Sequence, residues 1–549
     1  MDGESHDTED TEHAGDARGV VMTPRTGADG DIDEPDDGDA NATPDDRVRA
    51  IDRLAEPAVL TLLGVTVLWS IVFFVLASLR HDRHGTFGFD LGIFDQAIWL
   101  TSQFRDPFIT VRGLDTWGHH NNAIFFLLAP FYWVGAGAKF LLAVQLLSQA
   151  AGAIAVYLIA KERLVSRWFA VAMAVVLLLN PTYQWLIWEF FHPEALAIGP
   201  LLFAYWAATT HRWGWFWVSA VLAISCKEDI ALTIIMLGLL IAFRMDARRM
   251  GLVIAAFGAV WFLLTTRVLL PLFNDAERAF YNDFFASELG GSIGEVIRNT
   301  AKHPSQTIEF LTNGEHRSYY WRMAAPFAFA PLFSPTTLAI AAPMIAVNML
   351  TGFPYTRDFR FHYSSIVVVG GIVATIEAIA WWSRGRVDRR GVLVGFVLAS
   401  ALATSIAWGP SPIGTDYRSG IWPLSADVRA ESKEAALDLV PSDAATSASY
   451  NFVPHLTHRV RVYEFPVPWC NINWGVDGEG LHEPEVVDWI VIDLRVIGEE
   501  HSDRLDELLD TEFTERFRRD EVVVAERTSA ADPPWGPADD GGDCRERVR

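Results

Sequence analysis

The chain has 549 residues, 51% of them apolar and 12% aromatic, and carries a formal charge of −24. Several apolar runs reach the roughly 20 residues that a bilayer-crossing helix needs, which excludes an ordinary soluble acidic protein and points to a polytopic membrane protein in a lipid bilayer. No nucleic-acid partner is expected, and the three cysteines, Cys226, Cys470 and Cys544, lack metal-ligand spacing.

Residues 1–46 hold 16 Asp and Glu against two Arg and almost no large apolar side chains, so they read as a disordered acidic cytoplasmic tail. The acidic excess resembles the composition of proteins from salt-loving archaea. The tail lacks a basic start and a small-residue cleavage site, so Pro57 to Leu79 reads as a retained first span. Basic clusters at Arg47 to Arg53, Lys161 to Arg167, Arg244 to Arg249 and Arg384 to Arg390 mark the cytoplasmic side. Counting between them puts Asp90, Asp95, His119, His120, Glu189, His192, Glu194 and Lys227-Glu228-Asp229 outside.

Asn121 to Gly135 is too short for a span and contains Pro130, so a re-entrant piece is expected before the span Lys139 to Ala160. A further span starts near Trp168. Trp213 to Phe243 carries three charges near its centre and reads as two short helices meeting at the outer surface, because one tilted helix would bury those charges in lipid. After Gly251 to Leu270, Asn274 to Arg322 reads as an outer loop. Met323 to Leu350 reads as broken helices, and Ser364 to Trp382 and Gly391 to Trp408 as spans.

The expected class is thus an α-helical polytopic membrane protein of about eleven to thirteen spans over residues 47–408, with outer loops at 80–120 and 272–322. Residues 409–529 read as an extracellular α/β domain, with helices at Asp427 to Leu439 and Ser502 to Phe517. Its strands are expected at Thr446 to Tyr450, Val460 to Phe465, Trp489 to Asp493 and Glu521 to Ala525, and 530–549 as a flexible tail. A Cys470–Cys544 bridge requires both to lie outside.

Carboxylates beside a span are costly unless hydrated, paired or used, which singles out Gly88-Phe89-Asp90-Leu91-Gly92-Ile93-Phe94-Asp95-Gln96. Asp90 also suits the cap of a helix beginning at Leu91, with Asp95 on its solvated face. On a helix, Asp90 and Asp95 point roughly 140° apart and need not couple. Neutral imidazole at His119, His120 and His192 beside carboxylates suits a divalent metal, and imidazolium suits phosphate; the sequence leaves both open. Lys227 either faces a phosphate or closes its turn with Glu228 and Asp229, while Arg357, Arg360 and His362 form an outer basic cluster or an ordinary polar loop. The Trp residues at span ends are the expected interfacial belt. His455, His458 and Asp493 suit hydrogen bonds at strand ends, and no nucleotide-binding glycine loop accompanies them.

Phe89-Asp90-Leu91-Gly92-Ile93-Phe94-Asp95-Gln96, Phe191-His192-Pro193, Lys227-Glu228-Asp229, His362-Tyr363 and Val453-Pro454-His455-Leu456-Thr457-His458-Arg459 together resemble the prokaryotic membrane-protein family called domain of unknown function 2079. That family is distantly similar to the GT-C glycosyltransferases. The resemblance implies a sugar taken from a polyprenyl-phosphate donor and passed to a glycoprotein or glycolipid acceptor at the outer face. It implies an acidic residue of the first outer loop as the base, which makes Asp90 and Asp95 the candidate catalytic residues, with Asp90 as the base. It also implies phosphate or substrate contacts from His119, His120, Glu189, His192, Lys227, Glu228, Arg357, Arg360 and His362, with a divalent metal left open. The alternatives are a transporter or flippase for a lipid-linked or polar solute, served by broken helices and intramembrane charge, and a non-catalytic envelope assembly protein.

Overall fold

A computed structural model describes residues 56–274, 287–384, 386–469 and 486–528. The expected tails at 1–46 and 530–549, the basic cluster Arg47 to Arg53, and Cys470 and Cys544 lie outside the described residues.

Helix α1 (Pro57–Asp82) opens with proline in its first turn, where no amide partner is lost, and runs 26 residues. Leu60, Val67, Leu68 and Ile71 are exposed along it, an apolar outer surface suited to lipid. A π-turn at Gly88–Gly92 leads into α2 (Ile93–Ser102). The expected re-entrant piece is a short helix, Phe125–Leu128, and a 3₁₀ segment, Ala129–Val134, before α3 (Ala138–Leu164). The span expected near Trp168 divides into α4 (Arg167–Leu179) and α5 (Pro181–Trp188), bent by 47°. Asn180 makes the break: its side chain accepts from the Tyr183 amide at 3.2 Å, and Pro181 follows it.

After α6 (Ile198–Thr209), the stretch Trp213 to Phe243 breaks at Lys227-Glu228-Asp229 into α7 (Trp213–Ile224) and α8 (Ile230–Arg244). α9 (Arg248–Leu264) packs tightly on α8, with Gly238 and Gly251 letting the two backbones approach. The polar stretch beyond it carries α10 (Ile293–Lys302), α11 (Pro304–Leu311) and α12 (Gly314–Ala324). Short turns and helices broken by Pro326, Pro331, Pro335 and Pro343 follow, then α13 (Ser365–Ser383) and α14 (Val387–Trp408).

Among the described residues, five helical stretches are long and apolar enough to cross a membrane, and the bent α4–α5 pair, taken as one span, makes six. That is fewer than the eleven to thirteen crossings expected from the sequence; the other apolar helices are shorter. At 12 and 15 residues, α7 and α8 rise only about 18 and 22 Å, short of a ~30 Å hydrocarbon core.

The C-terminal residues form α15 (Ala430–Asp438), α16 (Glu499–Thr511) and a five-stranded mixed sheet. Its strands are β1 (Thr446–Ala448), β2 (Val462–Glu464), β3 (Trp489–Asp493), β4 (Phe513–Arg519) and β5 (Val522–Arg527), ordered β2-β1-β3-β5-β4. β1 is parallel to both β2 and β3, and β5 is antiparallel to β3 and β4. The helix expected at Ser502 to Phe517 ends at Thr511. Phe513 and Phe517, four apart, mimic one helical face, but the segment pairs with β5 through an irregularity between Glu515 and Phe517.

This sheet is docked on the first loop. Val453, fully buried at the end of β1's loop, lies where side chains on Gly88 and Gly92 would be: a Cβ on Gly88 would stand 2.7 Å from Val453 Cβ. The Gly88 amide donates to the Tyr450 carbonyl at 2.9 Å, and the Phe87 and Tyr450 rings meet edge to face.

Candidate functional site

Helix ends and the loops between them supply the cluster. Glycine-flanked Asp90 lies half-buried on the π-turn after α1, and its carboxylate accepts no hydrogen bond among the described residues. Burial holds that carboxyl above its ordinary range, while His192 and Arg80 pull it back and Glu194 adds to the rise.

After α5 the chain reverses through Phe190, whose φ of 78° is strained for a bulky residue. Glu189, His192 and Glu194 around that reversal are all buried. The His192 amide donates to Gln145 Oε1 of α3 at 2.8 Å, and its Nε2 lies 3.1 Å from the Glu189 carbonyl. His362, just ahead of α13, stacks on His192 with ring centroids 3.8 Å apart. Its Nδ1 is 3.5 Å from Glu189 Oε2 and its Nε2 3.6 Å from Glu194 Oε1.

The junction of α7 and α8 completes this wall. Lys227 Nζ lies 2.8 Å from Glu194 Oε1 and 4.0 Å from Asp229 Oδ2. Glu228 accepts from the Asn121 amide at 3.0 Å and meets His120 Nδ1 at 2.9 Å, tying in the loop where the His119 and His120 rings lie 4.3 Å apart.

Of the residues singled out from sequence, Asp90, His119, His120, Glu189, His192, Lys227, Glu228 and His362 are thus linked through one network of neighbours. Asp95 stands apart from it. It is 1% exposed, accepts from Tyr132 Oη at 2.6 Å and from Thr457 Oγ1, and faces His458 Nε2 at 3.3 Å. The expected solvated face is instead buried beneath the Val453-to-His458 loop. Arg357 donates to the Thr351 carbonyl at 2.6 Å and pairs with Glu315 at 3.1 Å, while the exposed Arg360 is paired with Asp358. Asp493 is held by Arg429 at 2.6 Å and Lys433 at 3.6 Å, a strand-end anchor.

Two participants escape the sequence reading. Arg80, near the end of α1, is 4% exposed; it donates to the Trp188 carbonyl, lies 3.8 Å from the Trp188 ring centroid, and interacts electrostatically with Asp90 and Glu189. It stands just beyond the apolar run Pro57 to Leu79, beside His81, Asp82 and Arg83, where a charge at a span end is unremarkable. Glu464, at the end of β2, is pushed up to about 7 by burial and then by Asp90. Only the docking of the sheet brings that residue to the first loop.

Two crystal structures similar to the chain are ArnT from Cupriavidus metallidurans bound to undecaprenyl phosphate and the same protein in the apo state. The first is 13% identical with a TM-score of 0.46, covering 86% of this chain and 98% of its own; the second is 16% identical with a TM-score of 0.41, covering 85% and 97%. A search of curated proteins finds no match. The model of the family described as "Predicted membrane protein (DUF2079)" matches residues 80–521, and with that span, holding every residue of the cluster, the chain belongs to this family of membrane proteins.

Proposed function

We propose that the protein is a multi-pass glycosyltransferase of GT-C type, moving a sugar from a polyprenyl-phosphate-linked donor to an acceptor hydroxyl at the outer face of the cell membrane. The N-terminus then lies in the cytoplasm and the C-terminal sheet outside, as the Lys and Arg distribution favours. The observation that carries the reading is Asp90 itself, half-buried on the first outer loop with a carboxylate that accepts no hydrogen bond among the described residues, whereas Asp95, Glu194 and Glu228 are engaged.

In this reaction Asp90 takes the acceptor's hydroxyl proton as the oxygen forms its bond to the anomeric carbon. The bond from that carbon to the phosphate oxygen breaks, and the phosphate leaves with the electron pair. Arg80 and Lys227 supply positive charge for the departing anion. Burial raises the basicity of the Asp90 carboxylate, which favours its taking the proton.

Comparative glycan mass spectrometry of wild-type, deletion and Asp90→Asn strains tests the proposal. General-base loss is expected to slow transfer roughly 10²–10⁴-fold, so a glycan mass disappears in both mutant strains while the Asp90→Asn protein remains inserted. Unchanged glycans in both strains overturn it.

A further inference from the structure

We propose that Glu189, His192 and His362 hold one divalent transition-metal cation. The assignment extends the proposed transferase site, but its test reads metal and not transfer.

Each of the three residues offers a ligand atom, and these atoms lie within 4.8 Å of one another. Glu189 and His192 are 5% and 3% exposed. Glu189 Oε2 and His362 Nδ1 are buried with no hydrogen-bond partner and stand 3.5 Å apart. Leaving buried polar atoms unsatisfied is costly. A cation seated between them removes that penalty at both.

The remaining ring nitrogens face other oxygens. His192 Nε2 donates to the Glu189 carbonyl at 3.1 Å, and His362 Nε2 faces Glu194 Oε1 at 3.6 Å. Metal-binding histidines characteristically use one nitrogen on a carbonyl or carboxylate and present the other's lone pair to the metal. Here both Nδ1 atoms are left for that purpose. The Gln145 contact to the His192 amide fixes the backbone that carries one of the rings.

Charge selects the ligand's sign. Asp90, Glu189 and Glu194 bring three carboxyls to a neighbourhood with two permanent cations, Arg80 and Lys227. A dication, and not an anion, suits the cluster of Glu189, His192 and His362 beside Glu194. Two imidazoles and one carboxylate suit Zn²⁺, Co²⁺, Mn²⁺ or Fe²⁺ and exclude a preference for Ca²⁺, which takes an all-oxygen shell. Bonds of about 2.0–2.2 Å place ligand atoms roughly 3.3 Å apart, so the side chains draw together on binding and the two stacked rings, 20° from parallel, turn to aim both lone pairs at one ion. Three protein ligands leave further coordination positions open.

The test uses full-length protein purified in detergent, stripped with chelator, and equilibrated separately with Zn²⁺ and Co²⁺. Elemental analysis is expected to find about one Zn²⁺ per chain in the wild type and in the exposed-site control His303→Gln. Glu189→Gln and His362→Gln are expected to bind on the order of 100-fold more weakly. Co²⁺ is expected to give visible bands of mixed nitrogen and oxygen ligation in the wild type that vanish in Glu189→Gln. Wild-type protein that elutes monodisperse yet binds neither metal overturns the proposal, and so does full metal content in both variants. If metal binding holds while the glycans of the Asp90→Asn strain stay unchanged, the transferase reading alone falls. Lost metal binding with altered glycans removes only the metal site.

Discussion

Asp95→Ala separates the clamp from the chemistry. In the native protein Asp95 accepts two buried hydroxyls, Tyr132 Oη at 2.6 Å and Thr457 Oγ1, and so ties the first loop to the Val453-to-His458 loop. His458 is 44% exposed in its side chain, so its 3.3 Å contact is screened and adds little. Hydrogen bonds to a charged acceptor contribute about 1.5–3 kcal/mol each, which sets roughly 3–6 kcal/mol for the two. Removing the carboxylate returns its desolvation cost, so the lower end, about 3 kcal/mol, is expected. Hydrogen–deuterium exchange reads this directly. The amides of Leu456 and Arg459, bonded to the Val453 and Thr457 carbonyls, are expected to exchange ~150-fold faster if the loop opens by that amount. Asp95→Asn keeps an acceptor for Tyr132 and is expected to show only a fraction of the effect, with sugar transfer retained. Protection of Leu456 and Arg459 in Asp95→Ala that matches wild type, with transfer abolished in Asp95→Asn, would refute the clamp and move Asp95 into the chemistry.

Lys227→Met leaves the buried Glu194 without its 2.8 Å partner and is expected to destabilise the protein by about 3–5 kcal/mol. Earlier loss of monodisperse protein on heating, partly reversed by adding Glu194→Gln, checks this; identical melting of single and double variants contradicts it. The Glu464 carboxyl is raised in the folded chain to about 7, above its ordinary 4.5. Folded protein therefore binds more protons than unfolded protein between those values, so the stabilisation is full at lower pH and fades as pH rises through about 7. Exchange around β2 is expected to quicken between pH 5 and pH 8 beyond the intrinsic chemical rate, and Glu464→Gln to flatten that excess. An equal excess in the variant rules out Glu464 as its source.

Much of the cluster was legible in the sequence because charge in an apolar setting is conspicuous. Lys227-Glu228-Asp229 interrupts an apolar run, and the break between α7 and α8 falls there. Glu189 and His192 flank a short aromatic stretch for the same reason. The solvated-face alternative for Asp95 fails because local spacing gives the direction of a side chain relative to its own helix, not what covers it, and its cover comes from Thr457, 362 residues later. Arg357 carries charge like Lys227, but backbone carbonyls and Glu315 engage it, which composition does not reveal. Glu464 was invisible as a neighbour of Asp90 because only sheet docking joins them. The two glycines around Asp90 carried a readable hint of that close approach, since a side chain at Gly88 would collide with Val453.

The long reach of the Asp95–Thr457 contact also sets a schedule for biogenesis. At about 5–20 residues per second, the ribosome needs roughly 20–70 s to travel from one partner to the other. Throughout that interval the nascent chain holds Asp90 without Val453 or Glu464 above it. The first loop therefore matures after synthesis of the helices, and premature termination before β1 produces an inserted but uncapped protein.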